Sequence, residues 1–310
     1  MINSLDFVKV TESAAIAASR WMGRGQRNVA DGAAVEQMRE RLNDMTIAGR
    51  IVIGEGERDE APMLFIGEQL GRGGYEVDIA VDPIEGTNLV ANGLPNSIAV
   101  LAVADRGALL HAPDSYMTKL AVGPKAAPFV DLDAPVAANL RAVSRALDKP
   151  IDEICVVILD RPRHQELISD VRAAGARIRL ISDGDVDACI ATTLPSTGIH
   201  VAMGIGGAPE GVLAAVAIKC LGGNFLGRLQ PRNPQEAERA KAMGFGDLSR
   251  VLTLDDLVKG DALFCATGIT DGDLVHGVRF FDGHAQTHSI LVQSGGVVRF
   301  IESTHLMTAR

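Results

Sequence analysis

The sequence has few aromatic residues and no long apolar run. Phe, Trp and Tyr together make up 4% of its 310 residues, whereas hydrophobic residues of all kinds make up 47%. The core must therefore be built mainly from Ala, Val, Ile and Leu. No apolar run approaches the roughly 18 residues of a membrane span, so we expect no transmembrane helix. The first residues include acids and no continuous apolar stretch, so we expect no signal peptide and a cytoplasmic protein.

Paired cysteines and clusters of positive charge are missing as well. The four cysteines, Cys155, Cys189, Cys220 and Cys265, are scattered and form no CxxC pair. Since most of them lie beside or within apolar runs, we interpret them as buried free thiols of a reducing cytosol. The formal net charge is −9, and no dense Lys/Arg segment offers the basic face that a nucleic-acid backbone needs. We therefore expect neither a nucleic-acid nor a membrane partner.

The apolar pattern predicts two domains with a boundary near residue 150. In 1–150, two amphipathic helices precede strands near 50–57, 77–82, 97–104 and 117–123, which is typical of an α+β domain. In 151–310, apolar strands at 154–159, 177–182 and 200–206 alternate with helices, which favours an α/β domain with parallel pairing. We expect β-structure again over 275–305.

Four short segments place carboxylates where the chain is expected to turn. They are RNVADGAAV with Asp31, GEGERDE with Glu55, Glu57, Asp59 and Glu60, DPIEGT with Asp82, Glu85 and a following Thr87, and GIGGAPEG with Glu210. Taken singly, Asp31 could be an N-cap, Glu210 could complement a helix dipole, and GEGERDE could be a solvated turn. DPIEGT carries more acids than a turn needs. Together, oxygen-only ligands at strand ends and helix starts suit hard cations such as Mg²⁺ or Mn²⁺.

These motifs resemble those of one enzyme family. DPIEGT is similar to the DP-[IL]-DGT signature of the lithium-sensitive, metal-dependent phosphatase superfamily, with Glu85 in place of the second Asp. GRGQRNVADGAAV, IGEGERDEAPM, DRPRH, ISDGDV and GIGGAPEGV resemble, in order and over nearly the whole chain, the class II fructose-1,6-bisphosphatases. The resemblance is closest to the branch that also acts on sedoheptulose 1,7-bisphosphate. It implies a layered α-β-α-β-α sugar-phosphatase fold of α+β and α/β parts, and a homo-oligomer, either a dimer or a tetramer.

The resemblance also implies a reaction and a set of site residues. The reaction is hydrolysis of the 1-phosphate of fructose 1,6-bisphosphate, with sedoheptulose 1,7-bisphosphate as a second candidate, in gluconeogenesis or the Calvin cycle. A metal-bound water would attack phosphorus directly, and Asp59 with Thr87 would orient it. The implied Mg²⁺ or Mn²⁺ ligands are Asp31, Glu55, Asp82, Glu85 and Glu210. The implied substrate-binding residues are Glu85, Gly86, Thr87, Tyr116, Arg161, Pro162, Arg163, Asp183, Gly184, Asp185 and Gly207.

The residues of this second set suggest roles of their own. Arg161 and Arg163 can bind a second phosphate, because the planar guanidinium matches phosphate bidentately. Asp183 and Asp185 can accept hydrogen bonds from sugar hydroxyls, although an Asx turn would explain them equally well. We interpret His164 as a phosphate-binding or merely exposed side chain. The first domain would thus carry most metal ligands, and the second would carry the substrate-binding loops and Glu210.

Two departures from the family and three rival functions remain open. Arg27 stands where relatives commonly have Lys, and the stretch between Leu229 and Met243 is shorter than in several relatives. A nucleotide-binding oxidoreductase is the first rival, because GIGGAPEG resembles a dinucleotide-binding loop. Against it, Pro209 replaces the third Gly of that loop and Glu210 would face a pyrophosphate. An inositol-monophosphatase-like enzyme and a non-catalytic sugar-phosphate sensor are the second and third rivals. The Arg161/Arg163 pair favours a substrate with two phosphates.

Overall fold

The computed structural model describes residues 3–56 and 63–307. Its α-helices are α1 (Ser4–Ser19), α2 (Arg27–Asp44), α3 (Thr87–Asn92), α4 (Val136–Leu147), α5 (Gln165–Ala173), α6 (Asp185–Ala191), α7 (Ala208–Cys220), α8 (Pro234–Ala242) and α9 (Leu254–Leu257). Its strands are β1 (Ile47–Ile53), β2 (Gln69–Leu70), β3 (Tyr75–Glu85), β4 (Ile98–Asp105), β5 (Tyr116–Val122), β6 (Cys155–Leu159), β7 (Arg177–Ile181), β8 (Val201–Gly207), β9 (Asn224–Gln230), β10 (Ala262–Gly268), β11 (Arg279–Phe281), β12 (His284–Gln293) and β13 (Val297–Leu306). Within these described ranges, no helix is long and apolar enough to cross a membrane.

The first compact unit combines both ends of the chain, Met1–Leu109 and Gly260–Arg310. Its strands form one sheet in the order β11-β12-β10-β4-β3-β1-β2, and β13 pairs with β12. The sheet is mixed, because β1 and β3 run parallel while β3, β4, β10 and β12 pair antiparallel in turn. Helices α1 and α2 bury aliphatic side chains such as Val10, Met38 and Leu42 in the same core as Ile79 and Leu101 of the sheet. Removal of this apolar surface from water stabilises the unit.

The second compact unit is Leu110–Lys259. Its five-stranded sheet has the order β7-β6-β8-β5-β9. Strand β6 runs parallel to β7 and β8, whereas β5 pairs antiparallel with β8 and β9. The parallel strands are joined through α5 and α6, as such connections require. The expected parallel pairing therefore holds for only part of this sheet.

The two units do not follow the boundary predicted near residue 150. Strand β5 belongs with β8 and β9, and the last four strands return to the sheet of the first unit through the pairing of β10 with β4. Local periodicity carries no information on such long-range pairing. The expectation of mixed helix and strand architecture is confirmed. All four cysteines are thiols that form no disulfide, with Cys155 half-buried and the other three buried.

Candidate active site

A β-bulge in β3 brings the two acids of DPIEGT together. Asp82 lies opposite Val100 of β4 and Glu85 lies opposite Ile98, so three steps on β3 match two steps on β4. Residues three apart in a regular strand point to opposite faces, and one extra residue restores a common face. Pro83 suits the bulge because it has no N–H to donate to the ladder. As a result, carboxylate oxygens of Asp82 and Glu85 lie within 4.8 Å of each other.

A third acid reaches this group from the neighbouring strand. Strands β1 and β3 run parallel, so their carboxyl ends meet at the same edge of the sheet. The register slips by one residue between Ile51 and Ile53, and Glu55 lies two residues after the end of the strand. Burial first, and then the nearby charges of Asp82 and Asp31, raise the pKa of Glu55 from its ordinary 4.5 to about 8. Asp31, Glu55 and Asp82 therefore form one carboxylate cluster.

Asp31 enters the cluster from inside a helix. Helix α2 begins at Arg27 after the N-cap residue Gln26, so Asp31 lies in its second turn and the alternative of an N-cap is wrong. Burial raises the pKa of Asp31, and the charge of Arg27, one turn earlier, partly opposes that rise. The departure noted at Arg27 thus places a guanidinium beside a predicted metal ligand.

The donor set of this cluster fits a divalent metal. Its members are all carboxylates, which are hard oxygen ligands of the kind that Mg²⁺ and Mn²⁺ take. Without a cation, their mutual repulsion and burial favour a proton on Glu55, as its raised pKa records. A bound cation would remove that repulsion.

A tight turn follows the bulge. Gly86 adopts a left-handed backbone with φ of 84° and precedes α3, whose first residue is Thr87. A Cβ at Gly86 would lie 2.7 Å from a side-chain carbon of Leu89. Only glycine combines this φ with so close an approach. Thr87 is therefore fixed directly after the acids of β3. Asp59, which the family resemblance assigns to water orientation, lies outside the described residues, as do Glu57 and Glu60.

In the second unit, the predicted substrate residues gather around the end of β8. Tyr116 lies opposite Gly207 in the antiparallel ladder of β5 and β8. Glu210 lies in the first turn of α7, where its charge complements the helix dipole. A Cβ on Gly207 would lie 1.9 Å from a carboxylate oxygen of Glu210. The glycine therefore leaves the room that this carboxylate occupies.

The arginine and histidine of DRPRH have separate roles. Arg163 is exposed; its Nε and Nη2 donate to the Ile205 carbonyl at 3.1 and 2.7 Å, and its Cζ lies 4.6 Å from the Tyr116 ring centroid. His164 is buried, and the interpretation of an exposed or phosphate-binding side chain is wrong. Its Nε2 accepts from the Ile205 N–H at 2.8 Å, and its Nδ1 lies 2.7 Å from the Leu159 carbonyl. Burial chiefly lowers the pKa of His164, so a neutral ring links strands β6 and β8.

Lys119 is a charged residue in the apolar strand β5 that sequence reasoning missed. It is 4% exposed, and its Nζ lies 2.7 Å from Oδ2 of Asp185, a predicted substrate residue. Burial opposes its charge, but Asp185 and Glu210 outweigh burial and raise the pKa of Lys119. A Cβ on Gly206 would lie 1.9 Å from Asp185 Oδ2. The lone lysine within MTKLAVG was the available signal, because an unpaired charge is rarely buried in a strand.

The remaining predicted residues lie in two neighbouring turns. Arg161 is half-buried and its Nη2 lies 3.9 Å from Asp183 Oδ1. Pro162 starts a short 3₁₀ turn, Pro162–His164, that leads into α5. Gly184 has a φ of 82° and precedes α6. Strands β6 and β7 run parallel, so these turns follow strand ends on one edge of the sheet.

Comparison with known proteins identifies the family. A family model described as bacterial fructose-1,6-bisphosphatase, glpX-encoded, matches residues 2–305. The chain belongs to this family. A protein of Synechococcus sp. (strain JA-3-3Ab) named D-fructose 1,6-bisphosphatase class 2/sedoheptulose 1,7-bisphosphatase is 47% identical over 97% of this chain and 95% of its own length. A protein of Crocosphaera subtropica (strain ATCC 51142 / BH68) with the same name is 48% identical over the same shares. The predictions of this family and of a phosphatase in sugar metabolism are confirmed.

Proposed function

We propose that this chain hydrolyses the 1-phosphate of fructose 1,6-bisphosphate and also acts on sedoheptulose 1,7-bisphosphate. The observation that carries the proposal is the match to the fructose-1,6-bisphosphatase family over residues 2–305. The names of the relatives support the second substrate. We also propose that the chain belongs to the lithium-sensitive phosphatase superfamily and has its layered α-β-α-β-α fold. The same proposal includes a cytoplasmic location, a homo-oligomer, and a place in gluconeogenesis or the Calvin cycle.

We assign the reacting phosphate to the carboxylates of the first unit. Asp31, Glu55, Asp82 and Glu85 would hold Mg²⁺ or Mn²⁺, and Glu210 is proposed as a further ligand. The divalent ions supply positive charge that offsets the phosphate and stabilises the transition state. The raised pKa of Glu55 supports this assignment, because it marks a site with more negative charge than the protein itself balances. Asp59 and Thr87 would orient the attacking water.

We assign the rest of the substrate to the second unit. Arg161 and Arg163 provide guanidinium groups for the other phosphate. Asp183 and Asp185 would accept hydrogen bonds from sugar hydroxyls, with Asp185 held in place by Lys119. The Arg163 guanidinium donates to a neutral carbonyl, so it keeps its charge for a ligand.

A phosphate-release assay over a panel of substrates tests this function. The panel contains fructose 1,6-bisphosphate, sedoheptulose 1,7-bisphosphate, fructose 1-phosphate and inositol 1-phosphate, each with Mg²⁺ and with Mn²⁺ after EDTA treatment. We expect release from both bisphosphates only when metal is restored, with fructose 6-phosphate as the product of the first. Preference for inositol 1-phosphate would overturn the assignment, and so would full activity without metal. Binding of the bisphosphates without phosphate release would indicate a sensor.

A further inference from the structure

Two arginines lie against the same tyrosine at the edge of the second unit's sheet. The Cζ of Arg163 lies 4.6 Å from the ring centroid of Tyr116, and the Cζ of Arg232 lies 5.0 Å from it. Tyr116 is the first residue of β5 and lies opposite Gln230, the last residue of β9. Arg232 follows that strand by two residues, so the ladder itself fixes its proximity to the ring. An arginine can stack on an aromatic face while its N–H groups stay available to a ligand.

Arg232 is held in place by a buried carboxylate. Glu236 is 4% exposed, and its two oxygens accept from Arg232 Nε at 2.6 Å and from the Arg232 backbone N–H at 2.8 Å. Asn233 caps α8 by accepting from the Glu236 N–H at 2.9 Å. Because Glu236 and α8 are fixed in this way, the Arg232 guanidinium loses little further freedom when it binds a ligand.

The hydrogen bonds of Arg232 leave one side of its guanidinium available. Nε is bound to Glu236, and Nη2 lies 3.5 Å from both the carbonyl oxygen and the carboxylate Oδ1 of Asp114. Within residues 3–56 and 63–307, no hydrogen-bond partner of Nη1 is seen. The Nη1 hydrogens, the Arg163 guanidinium and the Tyr116 hydroxyl are donors around one ring, which is a donor set suited to a phosphate.

We propose that Arg232 binds the non-reacting phosphate of the substrate together with Tyr116 and Arg163, and that it thereby favours bisphosphates over monophosphates. The proposal rests on the proposed function, because the second phosphate is a feature of that substrate. Loss of this contact should weaken binding of any ligand that carries the second phosphate and leave other ligands unaffected.

The test compares two substrates that differ only in the second phosphate. In R232M, which keeps much of the apolar stem, we expect KM for fructose 1,6-bisphosphate to rise about 10- to 100-fold, the effect of one charged hydrogen bond. The value of kcat should stay within about threefold, because the contact is present in both ground and transition states. KM for fructose 1-phosphate should not change. R232K keeps the charge without the fork and should give a smaller rise.

The matched control is R228A, which removes an arginine of β9 whose partners are Asp133 and the Ser249 carbonyl. Its kinetic constants should equal those of the wild type. An R232M enzyme whose KM changes equally for both substrates, or by less than about twofold for the bisphosphate, would show that Arg232 only supports the fold. If R232M does not fold, R232K decides by the same comparison.

A binding measurement separates this proposal from the proposed function. Fructose 6-phosphate carries the second phosphate and no reacting one, so calorimetric titration with it needs no catalysis. We expect R232M to weaken its binding about 10-fold or more and R228A to leave it unchanged. If the wild type binds fructose 6-phosphate but releases no phosphate from any sugar ester, the proposed function fails while Arg232 remains testable. Equal affinity of R232M and wild type for fructose 6-phosphate would overturn the role of Arg232.

Discussion

Replacement of Glu55 by the uncharged Gln should make the metal-free protein more stable at alkaline pH. The pKa of this carboxyl is raised to about 8 by burial and by Asp82 and Asp31. The folded state therefore binds a proton more tightly than the unfolded chain between pH 4.5 and about 8. Stability must then fall as pH rises through this window, because the folded state gives up a proton that it favours. The E55Q side chain is similar in shape but has no charge to lose.

The expected size follows from the pKa values. A rise from 4.5 to about 8 corresponds to at most about 5 kcal/mol of unfolding free energy. Glu55 is only half-buried, so solvent screening should leave roughly half of this. At pH 4 to 5, where Glu55 carries its proton, we expect the titration of Glu55 to add little to the difference in unfolding free energy between metal-free E55Q and wild type. At pH 9, we expect E55Q to be about 2 to 3 kcal/mol more stable than the wild type.

Urea unfolding of EDTA-treated protein, followed by circular dichroism from pH 4 to 9, measures this difference. E76Q is the matched control, since it removes the same charge from an exposed position of β3, and its profile should run parallel to that of the wild type. Added Mn²⁺ should stabilise the wild type at pH 9 more than E55Q. Parallel pH profiles of E55Q and wild type without metal would refute the carboxylate cluster as the source of the raised pKa.

Three further predictions concern other groups. D59N should lower kcat at least about 100-fold with KM nearly unchanged, because loss of a group that orients water acts mainly in the transition state; near-wild-type turnover would make Asp59 a turn residue. K119M should lower the free energy of unfolding by about 3 kcal/mol, because it leaves the carboxylate of Asp185, which is 15% exposed, without its partner. Addition of D185N should recover part of this loss in urea unfolding; a loss below about 1 kcal/mol would contradict the prediction. Activity should not respond to dithiothreitol, because none of the four cysteines forms a disulfide; reversible activation that is lost in Cys→Ser variants would show otherwise.

Much of the fold could be predicted where a local pattern was sufficient. Strands 77–82, 97–104 and 154–159 lie within or overlap β3, β4 and β6, because runs of aliphatic residues mark buried strands. Strand β10 was not predicted, although it is wholly buried and joins the C-terminal strands to β4. Its pairing partner lies far away in the sequence, and so the extent of the first unit could not be predicted either.

The candidate site shows the same division. The motifs predicted a set of acidic metal ligands, and the structure brings three of them, Asp31, Glu55 and Asp82, into one cluster. The motifs could not predict that His164 is buried, since its partner Ile205 is remote in sequence. They also could not place Asp31 in the second turn of α2, because no side-chain cap marks the start of that helix at Arg27. Arg232 was missed because nothing in its neighbourhood resembles a motif. Its proximity to Tyr116 arises from the pairing of β9 with β5.

The bulge in β3 makes spacing as important to this site as the identity of its residues. Asp82 and Glu85 share a face only because one extra residue lies between them. Deletion of Ile84 would leave every proposed ligand in the chain, yet it would turn Glu85 toward the other side of the sheet. Mutational tolerance should therefore be asymmetric here: another apolar side chain can replace Ile84, which is buried, without separating the two acids, whereas a change of length cannot be accepted. A search for related enzymes should accordingly treat DPIEGT as a fixed-length segment, in which a gap is a stronger sign of lost function than a substitution.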